Sequence, residues 1–218
     1  MDNPTLDKVL TILLEESRTW HVPIITLIAE RSHDPFQILI STVLSLRTKD
    51  EVTTQASRRL FEKANTPETM LQLTAGEIQR LIFPVGFYRR KSEQILEICR
   101  ILIDQYGGKT PDELENLLAL PGVGRKTANL VITLGFSKPG ICVDTHVHRI
   151  TNRLGYLKTR HPDETEMVLR DILPDKWWIP INDILVAFGQ ALCKPVSPMC
   201  SQCKVSAYCE RVGVKTSR

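Results

Sequence analysis

Apolar residues recur at intervals of three and four along most of the chain, a spacing that gathers them on one face of an α-helix. One such segment runs from residue 92 to 106 and stops at Gly107-Gly108, where glycine can take the left-handed conformation that ends helices. An earlier segment follows Asn3-Pro4. Its apolar face consists of Leu6, Val9, Leu10 and Leu13.

Helix-start signals divide the rest of the chain into further short helices. Asp34-Pro35 combines a capping side chain with a proline at the first helical position, and Pro162 and Trp177 mark two later segments. Only residues 141–143 are briefly extended in character, so we predict an all-α protein of about nine or ten helices. Three pairs have the S/T-x-x-E form of a capping box: Thr48 with Glu51, Thr74 with Glu77, and Thr110 with Glu113.

Composition sets broad limits on function. Hydrophobic residues make up 42% and charged residues 24% of the 218 residues, which is typical of a soluble globular protein with a sizeable core. The longest apolar stretch falls far short of the roughly 20 residues that cross a bilayer. The N-terminus does not resemble a signal peptide, so we expect a cytoplasmic protein. The net charge of +3 allows a polyanionic partner without requiring one.

Four of the six cysteines lie close together near the C-terminus, with the spacing C-x6-C-x2-C-x5-C. Such a loop can turn four thiolates toward one point, as a tetrahedral zinc ion or a cubane iron–sulfur cluster requires. Two structural disulfides are the alternative, which a reducing cytosol disfavours. Spacing alone does not choose the metal, although zinc ribbons usually carry two C-x2-C pairs. The four residues are Cys193, Cys200, Cys203 and Cys209.

A short glycine-containing loop separates two predicted helices, residues 111–119 and 125–136. Its sequence is Leu-Pro-Gly-Val-Gly, with Val123 between Gly122 and Gly124. Glycines let the backbone turn tightly and expose consecutive N–H groups at a helix start, where the helix dipole favours an anion such as a DNA phosphate. The alternative is a plain helix connection with glycines for packing.

Lys126 follows the loop in the first turn of the next helix, beside Arg125. The positive end of the helix dipole and the neighbouring guanidinium both disfavour the ammonium form, so this amine should lose its proton more easily than usual. A free amine is what Schiff-base chemistry at a sugar aldehyde carbon needs. Contact between a charged lysine and a phosphate is the other interpretation.

Asp144 lies where another helix is predicted to begin, with the aspartate at its N-cap. A capping aspartate accepts backbone N–H bonds and stays ionised, which suits it to face a developing positive charge. Capping alone is the alternative explanation. His146 and His148 point to different sides of a helix, so we interpret them as packing or surface residues rather than a metal pair.

Taken together, these motifs resemble the endonuclease III family of helix-hairpin-helix DNA glycosylases, which carry a [4Fe–4S] cluster. The resemblance runs from about residue 34 to 209 and rests on LPGVGRKTAN from Leu120, VDTH from Val143 and the four cysteines, in that order. It implies a two-domain all-α fold with a cleft for DNA between the domains. The six-helix barrel domain would cover residues 24–135, and the cluster domain residues 1–23 and 136–218, with the cluster loop at 193–209.

The resemblance also implies an activity in base excision repair. A monomeric, nucleoid-associated enzyme would flip an oxidised pyrimidine out of duplex DNA, remove it, and nick the strand by β-elimination. By this similarity Lys126 is the catalytic amine that forms a Schiff base, Asp144 is the catalytic carboxylate, and the four cysteines are cluster ligands. The hairpin residues Gly122, Val123, Gly124 and Arg125 would contact DNA.

Two positions depart from the pattern common in the family. Arg47 stands where many members have the glutamine that fills the gap left by the flipped base, and Phe87 stands where many have a leucine wedge. A forked donor and an aromatic ring can still serve these roles, while a phosphate clamp and a core residue are the alternatives. Further basic residues expected to follow phosphates, or else to be solvated, are Arg89, Arg90, Lys91 and Lys194.

Other functions remain open from sequence alone. Branches that excise mismatched thymine or uracil usually replace the lysine, so Lys126 argues against them. The adenine-mismatch branch carries a glutamate where this chain has Thr42, and lacks the lysine. A non-catalytic DNA-binding module with a damage-sensing cluster is the alternative from a different class, and the presence of both Lys126 and Asp144 speaks against it.

Overall fold

The chain forms two compact units. Residues 1–23 and 139–218 together make the discontinuous unit, and residues 24–138 make the central unit. The computed structural model describes residues 1–20, 25–26, 32 and 34–218. The domain boundary expected between residues 23 and 24 lies outside these described residues.

The described ranges are helical, with no strand, so the all-α prediction is confirmed. No helix within them is long and apolar enough to cross a membrane. Three short 3-10 helices lie at Asp175–Trp177, Cys200–Gln202 and Ser206–Tyr208. The α-helices are α1 (Asn3–Ser17), α2 (Pro35–Ser45), α3 (Asp50–Lys63), α4 (Pro67–Met70), α5 (Ala75–Ile82), α6 (Tyr88–Tyr106), α7 (Leu114–Leu118), α8 (Arg125–Phe136), α9 (Thr145–Leu154), α10 (Pro162–Ile172) and α11 (Ile181–Ala191).

Two predicted helix starts are confirmed. Asp34 caps α2, because its Oδ1 accepts the N–H of Phe36 at 2.9 Å and Pro35 is the first helical residue. At the start of α5 the capping box is complete: the Thr74 hydroxyl accepts the N–H of Glu77 at 3.2 Å, and the Glu77 carboxylate accepts the N–H of Thr74 at 2.8 Å. Each of these contacts joins residues within three positions of each other, so it does not depend on the rest of the fold.

The other two predicted capping boxes are wrong. Helix α3 begins one residue later than the box requires, with Lys49 at its N-cap, because the Thr48 hydroxyl instead accepts the N–H of Gly86 at 3.1 Å. Helix α7 begins only at Leu114. Its N-cap is Glu113, and the Thr110 hydroxyl is buried and makes no hydrogen bond to any described residue, so it does not cap a helix.

The core of the discontinuous unit joins the two ends of the chain. The apolar face of α1 is fully buried as predicted and packs against α11, where Ile184, Leu185 and Phe188 are buried in the same cluster. Helix α9 adds Val147 and Ile150. Burial of this apolar area is the main stabilising contribution that ties the N-terminal helix to the C-terminal segment.

Helix α8 is fixed in the central unit by close packing against α2. A Cβ added at Gly135 would lie 3.2 Å from Pro35, so the two helices approach at a distance that only glycine permits comfortably. Ala128 and Val131 of α8 are completely buried. The start of α8, where the glycine loop ends, is therefore held by a well-packed helix.

Candidate functional site

The glycine loop between α7 and α8 is a tight turn. Gly122 has a φ of +74°, a left-handed conformation that favours glycine, and the N–H of Val123 donates to the carbonyl of Leu120 at 3.2 Å. A Cβ at Gly122 would also lie 2.6 Å from Nε2 of Gln94 on α6. Both backbone conformation and packing therefore require glycine at this position.

Gly124 is the N-cap of α8 and has a different reason to be glycine. It is exposed, and a Cβ added there would meet nothing within 4 Å, so the protein itself does not exclude a side chain. Because glycine has no side chain, the N-cap residue makes no side-chain hydrogen bond to the start of α8, and helix starts are positions at which proteins bind anions. Val123 is 7% exposed, so its side chain belongs to the core and only its backbone can face a ligand.

Lys126 and Arg125 both lie in the first turn of α8, immediately after the loop, as predicted. Each is half-buried. Lys126 and the exposed backbone of the glycine loop therefore belong to one corner of the central unit.

Asp144 occupies the N-cap of α9, as predicted. Its Oδ1 accepts two backbone bonds, from the N–H of His146 at 2.7 Å and the N–H of Val147 at 3.0 Å. The side chain is 10% exposed. The extended segment before it is buried and anchored by Asn182, whose Nδ2 donates to the carbonyl of Cys142 at 3.2 Å. The carboxylate is thus rigidly placed.

His146 is a site residue that sequence reasoning missed. Its Nδ1 lies 3.0 Å from Oδ2 of Asp144, so the carboxylate is shared between the helix start and an imidazole. Close packing orients the ring, because a Cβ at Gly189 on α11 would lie 2.5 Å from the imidazole Cδ2. The available signal was the D-x-H spacing, since a side chain two residues after an N-cap can fold back on it.

Arg47 and Phe87 lie together in the central unit. The guanidinium carbon of Arg47 lies 5.7 Å from the centroid of the Phe87 ring. Arg47 is exposed and Phe87 is 62% exposed, so the alternative interpretation of Phe87 as a core residue is wrong. Both side chains line an open groove that also reaches Gly122 of the loop.

The basic residues expected to follow phosphates do not all lie at the surface. Arg89 and Arg90 are exposed on α6, and Lys194 is half-buried in the cysteine loop. The expectation for Lys91 is wrong, because its side chain is 4% exposed and its ammonium donates to main-chain carbonyls. A buried, internally bonded lysine cannot follow a DNA backbone.

The four clustered cysteines are reduced and line a single cavity in the discontinuous unit. Burial, reinforced by the neighbouring thiols, raises the pKa of Cys203 and of Cys209. Free thiols in this arrangement rule out two structural disulfides. Two N–H groups already point at the sulfurs: Nη1 of Arg153 lies 3.3 Å from Sγ of Cys193, and the backbone N of Arg211 lies 3.3 Å from Sγ of Cys209.

The charge around this cavity fits an anionic metal cluster. Arg153 is 7% exposed, and its other contacts are to the main-chain carbonyls of Lys194 and Pro195. A buried guanidinium with neutral partners favours negative charge nearby, which four thiolates on a cluster supply. Within the described residues no group of three or more potential ligands is spaced to hold a single metal ion.

The structure thus brings some predicted site residues together and assigns others to separate units. Arg47 and Phe87 meet in the central unit, and the glycine loop with Arg125 and Lys126 belongs to the same unit. The cysteines, Lys194 and Asp144 belong to the discontinuous unit.

Known proteins are similar to this chain in sequence and in fold. Residues 40–175 match the family described as "HhH-GPD superfamily base excision DNA repair protein". The endonuclease III of Thermotoga maritima is 54% identical to this chain over 177 residues, which cover 81% of this chain and 83% of that protein.

Two solved structures are similar over nearly their whole length. One is endonuclease III trapped as a covalent intermediate with DNA, which is 33% identical with a TM-score of 0.86 and covers 97% of each chain. The other is a thermostable thymine-DNA glycosylase, which is 27% identical with a TM-score of 0.83 and covers 96% of this chain and 97% of that one.

Proposed function

This chain belongs to the HhH-GPD superfamily of base excision DNA repair proteins and, within it, to the endonuclease III family, and we propose that it excises oxidised pyrimidines through a lysine Schiff base. As a member of that family it is a DNA glycosylase and abasic-site lyase with the all-α helix-hairpin-helix fold. One observation carries the proposal: Lys126 lies in the first turn of α8, directly behind a glycine loop whose backbone can bind a phosphate.

The proposed chemistry begins with a damaged pyrimidine flipped out of the duplex. The Lys126 amine attacks C1′ of the deoxyribose, the bond between C1′ and the base breaks, and the base leaves with a proton. The ionised Asp144 carboxylate stabilises the positive charge that develops at the sugar. Covalent capture of DNA by a structurally similar endonuclease III supports a nucleophile of this kind.

Strand cleavage follows from the same intermediate. Opening of the sugar ring gives an iminium between C1′ and Nζ of Lys126, which makes the 2′ hydrogen acidic. Loss of that proton forms the C2′–C3′ double bond and breaks the C3′–O bond, so the 3′ phosphate leaves. Water then hydrolyses the imine and regenerates the amine.

We assign the DNA contacts to the central unit and to the cysteine loop. The backbone of residues 122–124 and the side chain of Arg125 would bind phosphate, and Lys194 would add a second phosphate contact. Arg47 and Phe87 would enter the duplex where the flipped nucleotide leaves a gap, because an exposed aromatic ring can stack on bases and a guanidinium can pair with the orphaned base. We propose that the enzyme acts as a monomer. Because its substrate is DNA, it would be located at the nucleoid.

We propose that the four cysteines hold a [4Fe–4S] cluster. The single cavity that they line, the N–H groups directed at Cys193 and Cys209, and the buried charge of Arg153 all support a bound anionic group. Such a cluster would supply a rigid, covalently crosslinked anchor for the loop that carries Lys194.

A mismatch thymine glycosylase is the second candidate, favoured by the TM-score of 0.83 to a thymine-DNA glycosylase. A lysine at position 126 weighs against it, because a monofunctional glycosylase needs water rather than an amine as its nucleophile. The two candidates differ in substrate and in whether protein becomes bound to DNA.

Borohydride trapping on a panel of duplexes tests the proposal. The panel contains thymine glycol, 5-hydroxycytosine, thymine opposite guanine, uracil opposite guanine and an abasic site. Wild-type protein and Lys63→Ala, a matched surface variant on α3, should form a covalent product with the oxidised pyrimidines and the abasic site, and Lys126→Ala should form none. Excision of mismatched thymine without trapping would support the second candidate, and binding without any cleavage would support a damage-sensing module.

A further inference from the structure

Lys91 has an unusual environment for a lysine in a DNA-binding protein. It is 4% exposed, and its Nζ donates to the carbonyls of Leu44 at 2.9 Å and Leu46 at 2.6 Å, with the Thr48 hydroxyl at 3.4 Å. The two carbonyls lie at the C-terminal end of α2, where the helix dipole favours a cation. Burial lowers the pKa of Lys91 to about 8, so the group is still mainly an ammonium with three hydrogens at neutral pH.

The same ammonium connects two turns that are far apart in sequence. Thr48 accepts the N–H of Gly86 at 3.1 Å as well as facing Lys91, so one hydroxyl joins the turn at residues 44–48 to the turn at 85–88. The turns are also in direct contact, since a Cβ at Gly86 would lie 2.5 Å from the carbonyl oxygen of Arg47.

Each of these turns presents one exposed side chain in a left-handed backbone conformation. Arg47 has a φ of 53° and Phe87 a φ of 57°. For residues other than glycine this conformation is unfavourable and persists only where surrounding contacts impose it. The guanidinium of Arg47 lies over the aromatic ring of Phe87. The protein has therefore fixed a guanidinium and a ring as a pair, before any DNA is bound.

We propose that Lys91 is a positioning residue that locks Arg47 and Phe87 into one preorganised wedge for insertion into the duplex. This inference rests on the proposed function of those two residues. The ammonium of Lys91 is bonded to main-chain carbonyls of the protein. Its contacts fix the backbone from which Arg47 and Phe87 project, so that binding does not have to order two separate turns.

The test compares nicking of an abasic site in duplex DNA with nicking of the same site in single-stranded DNA. Single-stranded DNA has no duplex stack to open, no gap to fill and no orphaned base to pair with. Nicking of single-stranded DNA therefore does not need the wedge. Lys91→Met keeps the buried stem and removes the three donors. The ratio of duplex to single-strand rates should fall on the order of tenfold to a hundredfold, and Lys91→Arg should restore part of it.

A double-mutant cycle identifies the route of the effect. If Lys91 acts through the wedge, Lys91→Met should change the ratio little in a Phe87→Ala background, whereas independent effects would multiply. Fluorescence of 2-aminopurine placed opposite an abasic analogue should respond to wild-type protein and to Lys91→Arg, and respond less to Lys91→Met. Thr48→Val removes the bridging hydroxyl and serves the same test if Lys91→Met fails to fold.

The outcomes separate this inference from the proposed function. Wild-type protein that nicks neither substrate would overturn the lyase proposal itself. Active wild-type protein with an unchanged ratio in Lys91→Met, or with equal losses on both substrates, would overturn the role of Lys91 as a positioning residue and leave the lyase proposal intact.

Discussion

Asp144 and His146 form a pair at the start of α9, in which one carboxylate oxygen accepts the backbone N–H of His146 at 2.7 Å and the other lies 3.0 Å from its imidazole Nδ1. The carboxylate is therefore oriented by both the main chain and the side chain of one residue. Capping and the proposed catalytic role make different demands on it, because a cap needs only an acceptor oxygen, whereas stabilising a cationic sugar needs a full negative charge.

Asp144→Asn separates these two demands. Asparagine caps helices as well as aspartate does, so the free energy of unfolding should change by less than about 1 kcal/mol. Base excision should slow on the order of a hundredfold to a thousandfold, because the charge is lost. Single-turnover kinetics on a thymine glycol duplex and urea denaturation measure both quantities.

Asp163→Asn at the exposed start of α10 is the matched control and should change neither quantity. An Asp144→Asn variant that excises bases at the wild-type rate would show that Asp144 serves only as a helix cap.

The two glycines of the loop should respond differently to alanine. Gly122→Ala forces a side chain into a left-handed conformation at a φ of +74° and against Gln94, so it should cost about 1–2 kcal/mol of stability. Gly124→Ala meets open space, so it should cost under about 1 kcal/mol while its methyl group blocks approach of a phosphate to α8. Fluorescence anisotropy with labelled duplex DNA and urea denaturation distinguish the two effects.

Gly76→Ala provides the control for adding a methyl group. Gly76 lies in α5 with nothing within 4 Å of an added Cβ, so alanine should stabilise the protein slightly and leave DNA binding unchanged. Unaltered DNA affinity in Gly124→Ala would show that the loop is a structural connection only.

Removal of the proposed cluster should expose a defined set of thiols. In the loaded protein none of the six cysteines should react rapidly with iodoacetamide. Burial raises the pKa of Cys99 to about 12, so this thiol should stay unreactive after the cluster is removed as well. Oxidative loss of the cluster followed by reduction should make the four loop cysteines reactive, as counted by mass spectrometry, and should bleach the visible absorption.

Cys203→Ala should abolish that visible absorption, whereas Cys99→Ala should preserve it. A colourless protein containing one zinc ion per chain would contradict the cluster assignment.

Alkaline stability should depend on Tyr156. Its hydroxyl is within donating distance of Asn3 Oδ1 at 2.8 Å and the carbonyl of Ile172 at 3.0 Å, and burial raises its pKa to about 12. Because the folded-state pKa lies above the unfolded value of about 10, the contribution is complete below pH 10 and is lost as the pH rises toward 12. The difference in unfolding free energy between wild type and Tyr156→Phe should shrink by about 2–3 kcal/mol across that window. Parallel curves for the two proteins would refute the assignment.

Sequence reasoning succeeded where the determining contacts are local. The cap at Asp144 and the capping box at Thr74 involve residues within three positions of each other, so their spacing is enough to predict them. The apolar face of α1 is likewise readable from periodicity. The helix start after the glycine loop, and with it the position of Lys126, follows from the same local rules.

The same reasoning failed where a distant residue competes for a side chain. Thr48 has the capping-box spacing that Thr74 has, yet its hydroxyl is engaged by Gly86, which is 38 positions away. Lys91 is one of the basic residues expected to follow phosphates or to be solvated, and only the fold reveals the carbonyls to which it donates. No pattern within a few residues encodes either contact.

The discontinuous unit consists of segments that lie on both sides of the central unit in the sequence, and this affects how it folds during translation. Helix α1 leaves the ribosome before the central unit, but its packing partner α11 begins only at Ile181, after the whole central unit has been made. Domains fold as units during translation, so the four leucine and valine side chains of α1 stay uncovered until α11 has been synthesised. A copy truncated before Ile181 therefore retains an orphaned amphipathic helix, the kind of exposed apolar segment by which chaperones and proteases select unfinished chains.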